Sequence, residues 1–173
     1  MKQVLKLVIS GDVGAGKTTF VRAISEIEPI TTDEAVTDAA TLMLKEYTTV
    51  AMDFGLLTVD EDLVLHIYAT PGQKRFSFMW DVLAENCFGL IFLADSSRMD
   101  SVLETNNIIS YFRENYPQIP YIVGVTKLDL PDSLAFAAVV TLLGRDVQYF
   151  PINPNNPEEV KDAAIAIISL AMS

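Results

Sequence analysis

Residues 11 to 18 read Gly11-Asp12-Val13-Gly14-Ala15-Gly16-Lys17-Thr18, with Thr19 next, and match the phosphate-loop pattern G-x-x-x-x-G-K-[ST] at every fixed position. Glycines let successive backbone N–H groups curl around phosphate oxygens in conformations that side-chained residues resist. Lys17 can neutralise β- and γ-phosphates, and the Thr18 hydroxyl can reach Mg²⁺. A helix starting here directs its partially positive N-terminus at the anion. The flanks agree with that geometry. Val4-Leu5-Lys6-Leu7-Val8-Ile9-Ser10 reads as a buried strand, and Thr18 to Ile24 as a helix.

Strand and helix signals alternate along the rest of the chain. After Glu28-Pro29-Ile30 a mixed stretch runs to Tyr47, in which Ala39, Leu42, Met43 and Glu46 could form a short amphipathic helix. A connection of that length is usually functional. Thr49 to Leu57 and Leu63 to Ala69 flank the acidic turn Asp60-Glu61-Asp62 as a strand hairpin. Pro71-Gly72 precedes a helix from about Arg75 to Glu85, and Asp100 to Asn115 is a second. Gly89 to Ala94 and Tyr121 to Val125 are continuous apolar runs, as parallel strands covered on both faces require. Leu134, Ala137, Ala138, Thr141 and Leu142 mark the face of a further helix, and Gln148 to Ile152 a short strand. Val160, Ala163, Ala164, Ile167, Ile168 and Ala171 form a last apolar stripe at helical spacing. This order predicts an α/β fold in three layers, helices covering both faces of a six-stranded, mostly parallel sheet with one antiparallel strand. Residues 1–173 are expected to form one domain.

With 12 Lys and Arg against 23 Asp and Glu, the net charge of −11 offers no general basic patch to nucleic acid or an anionic membrane. An anionic nucleotide must then be held locally, by the loop, Lys17 and a metal ion. Cys87 is the only cysteine, so no internal disulfide can form. No secretory signal, 18-residue apolar run, myristoylation site or prenylation cysteine is evident, and the expectation is a cytoplasmic chain without a lipid anchor.

In such sheets ligands sit beyond the carboxyl ends of the strands. Thr126-Lys127-Leu128-Asp129 follows the Tyr121 strand. A carboxylate there can accept two parallel hydrogen bonds from the N1–H and 2-amino group of guanine, a donor pair that adenine lacks. Lys127 would lay its methylenes along the base. Ala69-Thr70-Pro71-Gly72-Gln73 follows the Leu63 strand; a glycine N–H meeting the γ-phosphate and a glutamine orienting water make a hydrolytic arrangement. Thr49, after Thr48, could close over Mg²⁺ through its hydroxyl and carbonyl. His66, inside a strand, is expected only to pack or to stand half exposed.

Together these residues resemble the Ras-like small GTPase superfamily over nearly the whole chain. Thr48-Thr49-Val50-Ala51-Met52-Asp53-Phe54-Gly55 and Ala69-Thr70-Pro71-Gly72-Gln73-Lys74-Arg75-Phe76 look like the prokaryotic branch that includes MglA-type polarity GTPases. They are most similar to small GTPases encoded beside Roadblock-domain proteins. The resemblance implies a switch that binds GTP and GDP with Mg²⁺, with a Roadblock-type regulator or effector.

The departures are informative. Ala69 stands where most small GTPases carry the aspartate that steadies Mg²⁺ through water, and Asp53 on the neighbouring strand is the candidate substitute. Val13 replaces the glycine nearest the γ-phosphate and would crowd an arginine supplied from outside, so slow intrinsic hydrolysis is expected. Arg75 could act as an internal finger, although a surface arginine at a helix start is the simpler reading. Thr126 replaces the usual asparagine and can make only part of its link to the phosphate loop. Asn153-Pro154 lies where the family offers a backbone N–H to the guanine oxygen; proline has none, so Asn155 or a shifted register must serve. Two other functions fit less well: an interaction module with negligible hydrolysis, and a P-loop kinase, which would leave Asp129 without a role.

Overall fold

The computed structural model describes residues 1–31 and 53–173. Thr48, Thr49 and the stretch containing Ala39, Leu42, Met43 and Glu46 lie outside the described residues. In chain order come β1 (Gln3–Gly11), α1 (Lys17–Ile24), β2 (Ile30–Thr31), β3 (Asp53–Thr58) and β4 (Leu63–Ala69). A single 3-10 turn (Lys74–Phe76) then leads into α2 (Ser77–Ala84). There follow β5 (Cys87–Asp95), α3 (Met99–Asn115), β6 (Tyr121–Thr126), α4 (Phe136–Leu143), β7 (Tyr149–Pro151) and α5 (Pro157–Met172).

One sheet runs β2-β3-β4-β1-β5-β6-β7. Strand β3 is antiparallel to both neighbours, and the remaining pairings β4-β1-β5-β6-β7 are parallel. The α/β class, the mostly parallel sheet and the one antiparallel strand are as the sequence predicts. The two-residue β2 is an addition at the edge, too short for any periodicity to announce. Alternation along β1 divides the interior. Leu7 and Ile9 face Phe20, Val21 and Ile24 of α1 with Val160, Ala163, Ala164 and Ile167 of α5. Val8 faces the other way, toward Trp80 and Leu83 of α2, Val102, Ile108 and Phe112 of α3, and Val139 and Leu143 of α4.

Helix α4 buries Val139 and Leu143; of the face expected for it, Leu134 and Leu142 pack partly buried against the core, while Ala137 and Thr141 are exposed and that part is corrected. Its sequence, FAAVVTLL, is apolar almost all round, and only the position of the sheet chooses the inner stripe. The helix expected from Arg75 begins instead as the 3-10 turn. Helix α5 matches its stripe and starts conventionally: Asn156 accepts from the Glu158 N–H at 3.1 Å, Pro157 follows, and Glu158 and Glu159 occupy the first turn. His66 packs edge-on against Phe54, as expected.

Candidate functional site

The carboxyl ends of β1, β4, β5 and β6 converge on the loop between β1 and α1. Gly11, Gly14 and Gly16 all take positive φ values, of 145°, 79° and 108°. At Gly11 a Cβ would come within 2.4 Å of the Leu93 carbonyl oxygen, so the loop must leave β1 through a glycine. Lys17 turns back under the loop and donates from Nζ to the carbonyls of Gly11 (2.8 Å) and Asp12 (2.6 Å). Burial pushes its ammonium down to about 8, although the carboxylates of Asp12 and Asp53 pull the other way. A buried ammonium held by two neutral carbonyls is poised to gain from a polyphosphate. Ala15 is buried behind the loop, Thr19 lies on α1, and Val13 stands 49% exposed at the rim.

Asp53 is the first residue of β3 and pairs across the ladder with Ala69. The Thr18 Oγ1 donates to Asp53 Oδ2 in a short hydrogen bond. The hydroxyl of the phosphate loop and the carboxylate proposed to replace the one missing at Ala69 are thus adjacent. Mg²⁺ usually takes one or two protein oxygens, substrate phosphates and waters, and this pair fits that demand. Thr49, the third residue expected at the metal, lies outside the described residues.

Beyond β4 the Pro71-Gly72 turn is pressed onto the phosphate loop. A Cβ at Gly72 would fall 2.5 Å from the Val13 nitrogen and 2.7 Å from the Asp12 carbonyl carbon, so only glycine permits this approach. The turn is held by the Thr70 N–H, which donates to the Ile9 carbonyl at 2.9 Å, by the Thr70 hydroxyl, which donates to Ser10 Oγ at 2.9 Å, and by the Trp80 indole N–H, which donates to the Pro71 carbonyl at 2.8 Å. Gln73 is exposed, and its Oε1 accepts from Arg75 Nε at 2.7 Å. Arg75 also stacks on the Phe76 ring, 4.5 Å from its centroid. It is therefore placed on Gln73 rather than on the loop.

At the end of β6 the Thr126 hydroxyl donates to the Ala15 carbonyl at 2.8 Å. Threonine thus ties the end of β6 to the phosphate loop, the link expected of asparagine in the pattern. Lys127 follows with φ of 61°, a conformation uncommon for a side-chained residue, and donates from Nζ to Asp95 Oδ2 at 3.1 Å. Asp95 ends β5 fully buried; desolvation alone would raise its carboxyl, but hydrogen bonds from Ser97 and Lys127 outweigh it and hold the group below its usual range. Asp129 is exposed one turn further on.

In the loop after β7, Pro154 packs on the phosphate loop, its Cγ 3.0 Å from where a Gly16 Cβ would lie. The neighbouring amides are engaged within the loop. Asn153 N donates to Glu159 (3.1 Å), Asn155 N to Asn153 Oδ1 (3.0 Å) and Asn156 N to the Asn153 carbonyl (2.9 Å). The Asn155 N–H, expected as a stand-in for the absent proline donor, is therefore committed elsewhere. With Oδ1 of Asn153 fixed as acceptor, its Nδ2 is the donor that engages no partner among the described residues.

Sequence reasoning passed over Arg98, the residue immediately before α3. Its Nη2 donates to the Val13 carbonyl at 3.2 Å and stands 3.9 Å from Asp12 Oδ2, which also accepts from Ser101 Oγ at 2.8 Å. No motif includes these positions; they meet the loop only because α3 starts beside it.

A phosphate loop between β1 and α1, with further loops from β4, β6 and β7 pressed onto it, defines a P-loop nucleotide-binding protein of the Ras-like superfamily. The chain belongs to the family described as "Conserved hypothetical ATP binding protein", whose sequence model matches residues 9–163. It is 29% identical over 131 residues to an uncharacterized protein of Methanocaldococcus jannaschii, across 76% of this chain and 75% of that one. It is 24% identical over 172 residues to ADP-ribosylation factor-like protein 3 of Saccharomyces cerevisiae, across 94% of this chain and 83% of that one. To Ras-related protein Rab-1C of Dictyostelium discoideum it is 26% identical over 171 residues, across 96% and 79% of the two chains. Among the described residues no helix is long and apolar enough to cross a membrane.

Proposed function

We propose that the chain, as one G domain over residues 1–173, is a guanine-nucleotide switch that binds GTP and GDP with Mg²⁺ and hydrolyses GTP slowly. The observation that carries this reading is the 2.8 Å hydrogen bond from Thr126 to Ala15, which ties the strand end before Asp129 to the loop holding Lys17. Phosphates and base are then gripped by one rigid unit. Gly11 to Thr19 and Gly72 surround the phosphates; Thr126, Lys127 and Asp129 take the base, with Asn153 and Pro154 closing over it. Asn153 Nδ2 is the donor for the guanine oxygen that Pro154 cannot serve. Thr18, Thr49 and Asp53 would hold Mg²⁺, which would supply neutralisation of the polyphosphate charge.

Gln73 is the residue that orients the attacking water, and in this structure its Oε1 is held by Arg75. That contact, with Val13 at the loop rim, favours slow hydrolysis until a partner resets the Gln73 loop. By resemblance a Roadblock-type protein is that partner, and the setting is cytoplasmic.

A second reading has its own support. The family description names ATP, and no backbone amide of residues 153–156 is left for a guanine oxygen among the described contacts. Calorimetric titration of the nucleotide-stripped protein with GTP, GDP, ATP and ADP separates the two. Guanine nucleotides are expected to bind at least roughly 100-fold more tightly, and Asp129→Ala to remove most of that margin, because a site built to hydrogen-bond a group discriminates strongly against its absence. Equal or tighter ATP binding would reject the guanine assignment. Single-turnover hydrolysis with and without a Roadblock-type protein then distinguishes a switch from an inert binding module.

A further inference from the structure

Arg98 breaks two local rules at once. It is the N-cap residue of the 17-residue α3, where Ser, Thr, Asp or Asn would cap the open N–H groups, and its side chain makes no capping bond. It also places a positive charge at the positive end of the helix dipole. Locally unfavourable choices of this kind concentrate at functional positions.

The surroundings do not consume the guanidinium. Its side chain is 51% exposed, and its one hydrogen bond among the described residues is the 3.2 Å contact to the Val13 carbonyl. The two nearby carboxylates have closer partners. Asp12 Oδ2 accepts from Ser101 at 2.8 Å and lies 3.9 Å from Arg98; Asp95 Oδ2 accepts from Lys127 at 3.1 Å and lies 3.8 Å from Arg98. Among the described residues four of the five N–H donors therefore make no hydrogen bond, on a planar fork that matches phosphate oxygens. The fork sits on the rim of the phosphate loop, with Nη2 also 3.9 Å from where a Cβ of Gly14 would lie.

We propose that Arg98 is a cis-acting arginine of the nucleotide site: it exchanges the Val13 carbonyl for polyphosphate oxygens when a nucleoside triphosphate binds, and supports its hydrolysis. The inference rests on the nucleotide-hydrolysing reading of the site above, but not on the identity of the base. In the step it assists, the water oxygen bonds to the γ-phosphorus while the bond to the β–γ bridging oxygen breaks. The diphosphate leaves with that electron pair, and the water's proton ends on the released phosphate. A guanidinium at the polyphosphate stabilises the charge gathered on the leaving oxygens. Val13, which crowds an arginine arriving from a partner, leaves this route open because Arg98 already lies beside it. Ser101 contributes as a positioning residue by drawing the Asp12 carboxylate onto α3.

The test uses the full chain as wild type, Arg98→Ala and Arg98→Lys, with the tri- and diphosphate of whichever base the wild type prefers. Arg98→Ala is expected to lower the single-turnover rate by roughly 10²-fold or more and to weaken triphosphate relative to diphosphate binding by roughly 10-fold, with an unchanged unfolding midpoint. Arg98→Lys, which keeps the charge but loses the fork, should recover only part of the rate. If Arg98→Ala keeps the wild-type rate and the wild-type ratio of affinities, or loses both nucleotides equally, the assignment is wrong. Where the wild type binds without measurable hydrolysis, the ratio of affinities alone decides. A wild type that binds neither nucleotide would instead reject the function proposed above, and this inference with it.

Discussion

Asp53 and Ala69 face each other across the β3–β4 ladder, which puts the Asp53 carboxylate on the strand beside Ala69. If Asp53 with Thr18 steadies Mg²⁺, Asp53→Ala should raise the Mg²⁺ concentration that half-saturates nucleotide binding by roughly 10–100-fold, read by titration with a fluorescent diphosphate. Lys17 supplies a pH signature. Burial sets its folded value near 8 against an ordinary 10.5, so between those values the unfolded chain carries a proton that the folded chain lacks. Ligand-free stability should therefore rise with pH across that window, and be lowest, by an amount on the order of 3 kcal/mol, below it. Bound polyphosphate reverses the preference by favouring the ammonium. Triphosphate affinity should then weaken as pH climbs past about 8, by at most about tenfold per pH unit. Lys17→Met should abolish that slope as well as most of the affinity; denaturant curves and nucleotide titrations from pH 7 to 9 check both signs.

At the scale of elements, the site depends on how strand ends are tied together. The Thr126 hydroxyl joins β6 to the phosphate loop inside a fully buried shell. Thr126→Val keeps the shape but leaves the Ala15 carbonyl unpaired, which should cost about 1–3 kcal/mol in urea unfolding and weaken nucleotide binding without changing the base preference. A preserved midpoint would mean that the tie contributes nothing. The elements differ in how plainly they could be read. Strands β5 and β6 are continuous apolar runs, visible in one dimension because both faces are covered. Helix α4 is apolar on nearly every side, so its buried stripe of Val139 and Leu143 depended on where the sheet lay. The Gly72 turn was legible as Pro-Gly, but its packing on the phosphate loop, so close that a Cβ would fall 2.5 Å from the Val13 nitrogen, was not.

For the molecule as a whole, nucleotide binding should appear as stability. A ligand at 100 times its dissociation constant adds about 2.7 kcal/mol, which for a chain of this size raises the unfolding midpoint by roughly 5–10 °C. With Mg²⁺ present, guanosine diphosphate is expected to produce that shift, and adenosine diphosphate at the same concentration to leave the midpoint within about 2 °C. Equal shifts from both would favour the adenine reading that the family description suggests. The surface carries a net charge of −11, so the anion must be gathered by the loop and its few local cations.

The phosphate loop, the alternation of strands and helices, and the TKxD tetrapeptide are patterns of neighbours, and neighbour chemistry is written directly in the chain. The tie of Thr126 to Ala15, the engagement of the Asn153–Asn156 amides, the hold of Arg75 on Gln73 and the arrival of Arg98 at Val13 are meetings between distant residues. Each depends on packing angles and loop paths that are settled only when the two cores close on the sheet, which is why folding had to decide them.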